Sequence, residues 1–211
     1  RIRFPVEVAR RVVEAVGDRL AVLVKANLRD GKAGGTEVPD CIALAHALEA
    51  VGVHALVMTG GFSPHTPMFL FRGQSMAASM LQYEKSRWNR FLIKLGAKTP
   101  AFGDTPFEEL YFRQEALQVR AAVKGMKLAL LGGVRSPDNV ATAMADGFDA
   151  VVLGRPLLAE PDLVRQWQAG ATAGSRCINC NRCVGEFSSG AGVRCVLNGP
   201  NDRALNLRAA G

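Results

Sequence analysis

Leu128-Ala-Leu-Leu-Gly-Gly-Val-Arg-Ser-Pro-Asp-Asn-Val140, followed by Ala150-Val-Val-Leu-Gly-Arg-Pro-Leu-Leu158, decides the fold class. Each run opens on a short continuous apolar segment that ends in glycine, the pattern of a strand buried on both faces of a parallel sheet. Between them Ser136 is placed to cap a helix, Pro137 suits its first position and Asp138 its first turn. That helical pattern continues to Ala145 and stops at Gly147. Strand, glycine turn, capped helix and strand make one βα unit.

The same rhythm extends outward. Residues 5–16 carry Val8, Val12, Val13 and Val16 at helical spacing, Gly17 ends them, and residues 20–24 form an apolar run of strand length. A helix over 38–51 stops at Gly52 and leads to a strand over 55–58 and the turn Thr59-Gly60-Gly61. A helix over 107–123 ends near Gly125 before the strand at 128–131, and a last one over 162–169 ends at Gly170. Buried strands alternating with amphipathic helices define an α/β fold. An eight-stranded barrel takes about 250 residues, so about four βα units in residues 1–170 correspond to the second half of a (β/α)8 TIM-barrel. Residues 62–105 interrupt the rhythm, since ordinary βα loops run roughly 2–6 residues. With a helical pattern over 76–95, they are expected to form a helical excursion over the C-terminal rim of the strands, or a subdomain that completes the core. Residues 171–211 form a Cys-rich loop and tail.

With 48% hydrophobic and 21% charged residues the chain can bury one sizeable core. It holds no uncharged apolar run long enough to span a bilayer and no secretory n-region and h-region, so a cytoplasmic, non-membrane protein is expected. The net charge of +7 is scattered over several helices rather than gathered into one basic tract. That argues against nucleic acid and leaves a phosphate-bearing cofactor or a coenzyme A ester as the anionic partner. Of five cysteines, four fall between Cys177 and Cys195, unlike the bridges of a disulfide scaffold. The fifth, Cys41, sits in an apolar helical pattern and reads as a small buried hydrophobe.

Two consecutive strands end in glycine turns, at Gly132-Gly133 and at Gly154, and Arg155 follows the second directly. In a barrel the loops after the last two strands commonly bind phosphate, because glycine lets backbone amides approach the oxygens and an arginine adds paired charge-assisted bonds. Turns demand glycine for their own reasons as well. Cys177-Ile-Asn-Cys180-Asn-Arg-Cys183, with Cys195 further on, brings four thiolates within reach of one centre, either a tetrahedral zinc or a four-iron cluster.

These segments carry a resemblance. Residues 132–170 are similar to the end of the Old Yellow Enzyme-like flavin barrels, and residues 1–27 resemble a helix and strand near the middle of that barrel. TGGFSPHTPMFLFRG (59–73) and TPFEELYF (105–112) look like the cluster-bearing NADH:flavin oxidoreductases of the 2,4-dienoyl-CoA reductase type. The resemblance implies a noncovalent FMN whose phosphate lies on Gly132, Gly133, Gly154 and Arg155. It matches Lys25, at the end of the first strand, to a cation beside the flavin's N1 and O2 edge, where positive charge stabilises the anionic reduced flavin. It makes the four cysteines ligands of a [4Fe-4S] cluster, with zinc as the alternative. The implied reaction moves hydride from NAD(P)H through FMN to an activated alkene or enoyl thioester, with a further electron-transfer partner for the cluster.

The family's substrate-orienting pair, a histidine with a histidine or asparagine, has no counterpart here and is expected, with the first half of the barrel, ahead of Arg1. His46 falls inside a helix, His54 just before a strand and His65 on a loop, and none replaces it, so the catalytic residues stay unassigned. Three rivals remain. The chain is a non-catalytic barrel fragment or binding module that closes its sheet as a homo-oligomer, an unrelated phosphate-binding isomerase or aldolase barrel, or a zinc-dependent nucleic-acid binder.

Overall fold

The computed structural model describes residues 2–99, 102–186 and 192–198. In chain order the elements are α1 (Arg3–Val16), β1 (Leu23–Asn27), α2 (Val38–Ala50), β2 (Ala55–Thr59), α3 (Pro67–Leu70), α4 (Ala77–Tyr83) and α5 (Arg87–Gly96). There follow α6 (Arg113–Ala122), β3 (Lys127–Leu131), α7 (Pro137–Ala145), β4 (Ala150–Val152), α8 (Arg155–Ala159), α9 (Leu163–Gln168) and α10 (Arg182–Gly185). They divide into two compact units. The first holds the described residues up to Arg72 with Phe107–Leu153, and the second holds Gly73–Pro106 with the described residues from Gly154 on. Residues 73–105 of the expected insertion thus belong to the second unit.

In the first unit the four strands lie parallel in the order β1-β2-β3-β4. Sequential parallel strands joined by right-handed crossovers place every connecting helix on the same face. That face carries Val24, Ala26, Leu56, Met58, Leu128 and Leu130, packed against Cys41, Ala45 and Leu48 of α2, Ala116 and Val119 of α6 and Ala143 of α7. Leu56, Leu128, Leu130 and Phe112 are fully buried, each worth about 1.5–3 kcal/mol of transfer free energy. The connecting helices of this unit leave the opposite face uncovered; on it Leu23 is 60% exposed, whereas Ala129 is 7% exposed.

Local chemistry sets the element ends. α2 starts in a capping box, the Glu37 side chain accepting from the Asp40 amide and Asp40 from the Glu37 amide. α7 starts as its sequence predicts, with the Ser136 hydroxyl accepting from the Asn139 amide and Pro137 in the first turn. At the far end of α2, Glu49 Oε1 accepts hydrogen bonds from the amides of Gly125 (2.5 Å) and Met126 (2.8 Å), which fixes the entry to β3.

Three boundaries differ from expectation. β1 runs over residues 23–27 rather than 20–24, because a 3-10 turn, Gly17–Arg19, follows α1 and leaves Leu20 exposed. The strand then continues through Lys25, which is exposed, and Asn27, whose amide is hydrogen-bonded to Asp30 and Gly61, both on the face away from the connecting helices. α6 begins at Arg113 rather than 107, because Leu110 takes a left-handed φ of 53° and the preceding residues fold as turns. The helical pattern over 76–95 is split into α4 and α5 at an extended Glu84. There Ser86 caps α5 by accepting from the Asn89 amide.

In the second unit, Gly73 and Thr105 form an antiparallel bridge that closes the insertion at its base. α4 and α10 pack together, with Gly185 so close to Ser79 that a Cβ would lie 2.5 Å from the serine Cβ. Among the described residues no helix is long and apolar enough to cross a membrane.

Those two amide bonds hold the Glu49 carboxyl below its ordinary value. Its contribution is therefore present above the unfolded-state value near 4.3 and is lost as pH falls through the depressed one. Glu49→Ala is expected to cost about 1–2 kcal/mol at pH 7, and the gap to wild type should close below about pH 4. Urea unfolding at both pH values checks this; a gap independent of pH would refute it.

Candidate functional site

In parallel sheets the loops at the C-terminal strand ends build sites. On the uncovered face of the first unit, register aligns Lys25 with Val57, Ala129 and Ala150, and one step nearer the C-terminal ends aligns Asn27 with Thr59, Leu131 and Val152. Lys25 is exposed and lies in the middle of β1 rather than at its end, since the strand runs on to Asn27. Asn27 donates to Asp30 Oδ1 (2.7 Å) and to the Gly61 carbonyl (2.8 Å), tying together the loops that leave β1 and β2. The Thr66 hydroxyl adds a bond to the Asp30 carbonyl, and Asp30 accepts from the Thr36 amide. Thr59, 7% exposed, has a buried hydroxyl with no hydrogen-bond partner. A buried polar atom left this way costs about 1–3 kcal/mol, and this one sits at the strand ends, where a polar ligand would satisfy it.

Gly132 and Gly133 follow β3 with φ of 112° and 80°. A Cβ on Gly132 would lie 2.7 Å from Phe112 Cδ2, and one on Gly133 would lie 2.6 Å from the Glu108 carbonyl oxygen and 2.7 Å from the Leu110 nitrogen. Both glycines are thus required by the segment at 108–112, whose Tyr111 hydroxyl donates to the Leu70 carbonyl (2.7 Å). Around them Arg72 pairs with Glu108 (2.9 Å) and stacks on Tyr111, and Asn139 donates to Glu109.

Gly154 and Arg155 open the second unit. Arg155 is half-buried, and its Nη1 donates to Asn181 Oδ1 at 2.6 Å. One cavity is lined by Arg155, Cys177, Cys180, Cys183, Cys195 and Asn181, among others. All four cysteines are free thiols. The loop that carries the first three winds through two left-handed residues, Asn179 (φ 53°) and Asn181 (φ 55°), one on each side of Cys180. Asparagine tolerates this conformation better than most residues.

Both asparagines are buried and anchored. The Gln74 amide donates to the Asn179 carbonyl (3.0 Å), and Asn181 Nδ2 donates to the Gln74 carbonyl (2.7 Å). Glu186, 2% exposed, accepts from the Tyr83 hydroxyl (2.6 Å) and from Arg194 Nε (3.2 Å), holding the strand of chain that delivers Cys195.

Burial raises the Cys177 thiol above its usual value and pushes Cys183 up to about 11, while the Arg155 charge draws both back. Soft donors in a desolvated cavity with a cation in its wall suit a thiolate-bound centre. Among the described residues no group of three or more His, Cys, Asp or Glu is arranged to hold a metal ion.

The histidines are engaged elsewhere. His46 stands 3.9 Å from Glu49, His54 Nδ1 accepts from the Val22 amide at 3.0 Å, and His65 stacks on Phe62. Cys41 is fully buried in the core, which raises its thiol to about 11. Thr59, Asn179, Asn181 and Glu186 were not singled out from sequence. Only the two asparagines left a signal there, as residues apt for left-handed turns flanking a cysteine.

Comparison with known proteins follows this geometry. No family model matches the chain. It is 36% identical over 196 residues to the 4,4'-dithiodibutanoate disulfide reductase of Rhodococcus erythropolis, covering 90% of this chain and 47% of that protein. It is 26% identical to the NADH oxidase of Thermoanaerobacter brockii, over 94% of this chain and 26% of that one. The chain thus spans about half the length, or less, of these curated relatives. Among solved structures, 2-naphthoyl-CoA reductase in complex with 2-naphthoyl-CoA superposes with a TM-score of 0.62 at 18% identity, over 93% of this chain and 26% of that one. The fold is part of a (β/α)8 barrel, and the curated relatives it is similar to are oxidoreductases.

Because protein atoms crowd Gly133, Gly133→Ala should destabilise the first unit by about 2 kcal/mol or more, through strain at positive φ and a backbone clash. Urea denaturation of the variant without added cofactor measures it; an unchanged midpoint would show that the turn can yield.

Proposed function

We propose that the chain carries the flavin-edge and cluster-binding part of an FMN-dependent NAD(P)H oxidoreductase. The observation that carries the reading is the convergence of Cys177, Cys180, Cys183 and Cys195 on one cavity beyond the last strand and helix units. Zinc binds thiolates at about 2.3 Å, which needs four sulfurs gathered around one point. Four cysteine thiolates are also the ligand set that a [4Fe-4S] cluster would take, and Cys177, Cys180, Cys183 and Cys195 would hold it here. Bound there, the cluster would relay single electrons between the flavin and an electron-transfer partner.

FMN, when bound, would accept hydride from NAD(P)H and deliver it to an acceptor. By resemblance, Gly132 and Gly133 after β3 and Gly154 and Arg155 after β4 are its phosphate-binding turns. Lys25 keeps a cation on the uncovered sheet face, where negative charge would develop on the reduced ring. The Thr59 hydroxyl would gain a partner from a polar ligand at the strand ends.

The acceptor is a small molecule, either an activated alkene or enoyl thioester. An organic disulfide is the second candidate, from the name of the relative at 36% identity. A homo-oligomer is the second reading of the chain itself. It is favoured by the uncovered sheet face, where Leu23, Lys25 and Ala150 are exposed, and by the open edges of β1 and β4.

The anaerobically purified chain is expected to show flavin absorbance with a broad brown shoulder, and iron and acid-labile sulfide in near-equal amounts. A colourless chain with zinc, or without metal, would defeat the reading and favour the oligomer. Lys25→Met should slow reduction of bound flavin by NAD(P)H at least tenfold, about 1.4 kcal/mol, in stopped-flow traces. An unchanged rate would remove Lys25 from the flavin edge.

A further inference from the structure

Arg155 is matched by resemblance to a phosphate-binding arginine, yet it lines the cysteine cavity. The orientation is fixed through two links. Asn181, 1% exposed, accepts from Arg155 Nη1 at 2.6 Å through its side-chain oxygen and donates to the Gln74 carbonyl at 2.7 Å through its side-chain nitrogen. An amide with both ends engaged cannot rotate freely, so the hydrogen-bonded guanidinium is held to one direction. Asn181 is also the left-handed residue that turns the chain between Cys180 and Cys183. The element that aims two ligands therefore aims the cation as well.

We infer that Arg155, oriented by Asn181, is a positioning residue for the thiolate-bound centre, offsetting its negative charge and raising its reduction potential. The inference rests on the cluster reading above and not on the flavin assignment. Four thiolates leave a [4Fe-4S] centre anionic, and one added electron makes it more so. No bond forms or breaks in that step. A cation in the cavity wall stabilises the reduced state more than the oxidised one, because the interaction grows with the charge it faces. Arginine suits this position because its planar fork can hold Asn181 with one nitrogen while the delocalised charge faces the sulfurs.

The experiment is an anaerobic titration of the purified chain with dithionite and mediators. The reduced cluster is followed by electron paramagnetic resonance, with iron, sulfide and flavin assayed on each sample. Arg155→Gln is expected to lower the equilibrium constant for one-electron reduction about tenfold, equivalent to about 59 mV, with iron and sulfide retained. Arg155→Lys, which keeps the charge, should recover more than half of that shift. A potential unchanged in Arg155→Gln while the cluster loads would overturn the inference. Loss of flavin alone would return Arg155 to the phosphate.

If Arg155→Gln fails to assemble a cluster and Arg155→Lys succeeds, charge compensation is supported. Failure of both would make Arg155 a structural strut and overturn the inference. Wild-type chain without iron and sulfide would defeat the cluster reading itself.

Discussion

Consecutive parallel strands in sequence order leave the chain one choice of layering. Each crossover from one strand to the next turns right-handed, so α2, α6 and α7 fall on the same side of the sheet. The residues at 24, 26, 56, 58, 128 and 130 must therefore be apolar, while those at 23, 25 and 27 are released from that demand. The same constraint brings the C-terminal ends of all four strands to one rim. There the loops after β1 and β2 are stitched through Asn27, Asp30, Gly61 and Thr66. A parallel sheet is ordinarily buried on both faces. This one carries the exposed Lys25 and the buried Thr59, whose hydroxyl has no hydrogen-bond partner among the described residues, on the side away from its connecting helices.

The cysteine loop depends on a different kind of support. It has almost no regular structure of its own, since α10 spans only Arg182–Gly185. Its shape comes from backbone that a neighbouring segment satisfies. Gln74 accepts from and donates to the two asparagines around Cys180, and a Cβ on Gly73 would lie 2.0 Å from the Asn179 carbonyl oxygen. The insertion is therefore part of what holds the thiols in place, and Glu186 does the same for Cys195 through Arg194. Desolvation of Cys177 and Cys183 is a consequence of that enclosure, and it is the condition under which a nearby charge such as Arg155 has most effect.

Much of the fold was legible because its signals are local. The Ser136 cap with Pro137, and the apolar runs before Gly60 and Gly132, depend only on near neighbours in sequence. The end of β1 was misplaced because hydrophobicity stopped at Val24, whereas the strand goes on wherever its partner ladder goes on, through polar Lys25 and Asn27. α6 was extended too far because Phe107, Leu110, Tyr111 and Phe112 give residues 107–112 an apolar pattern that has a tertiary reason, the packing of Phe112 and Tyr111 against Gly132. The four cysteines announced themselves by spacing. What orients them did not, because Gln74 and Tyr83 lie about a hundred residues away in the chain.

Glycine shows most sharply where residue type runs out as evidence. A turn in which backbone approaches a phosphate and a turn in which backbone approaches other protein both exclude a Cβ, and both select glycine. At Gly132 and Gly133 the excluded volume is already filled by Phe112, Tyr111 and the backbone of Glu108 and Leu110. At Gly154 nothing lies within 4 Å of where a Cβ would stand. The two halves of what reads as one motif thus rest on different physical grounds. The first glycine pair is explained by the protein alone, so a ligand is not needed to account for it. Gly154 meets no described atom, and its backbone at φ −117° and ψ −90° lies outside the main regions open to other residues, so there it is the turn itself, not a close neighbour, that selects glycine.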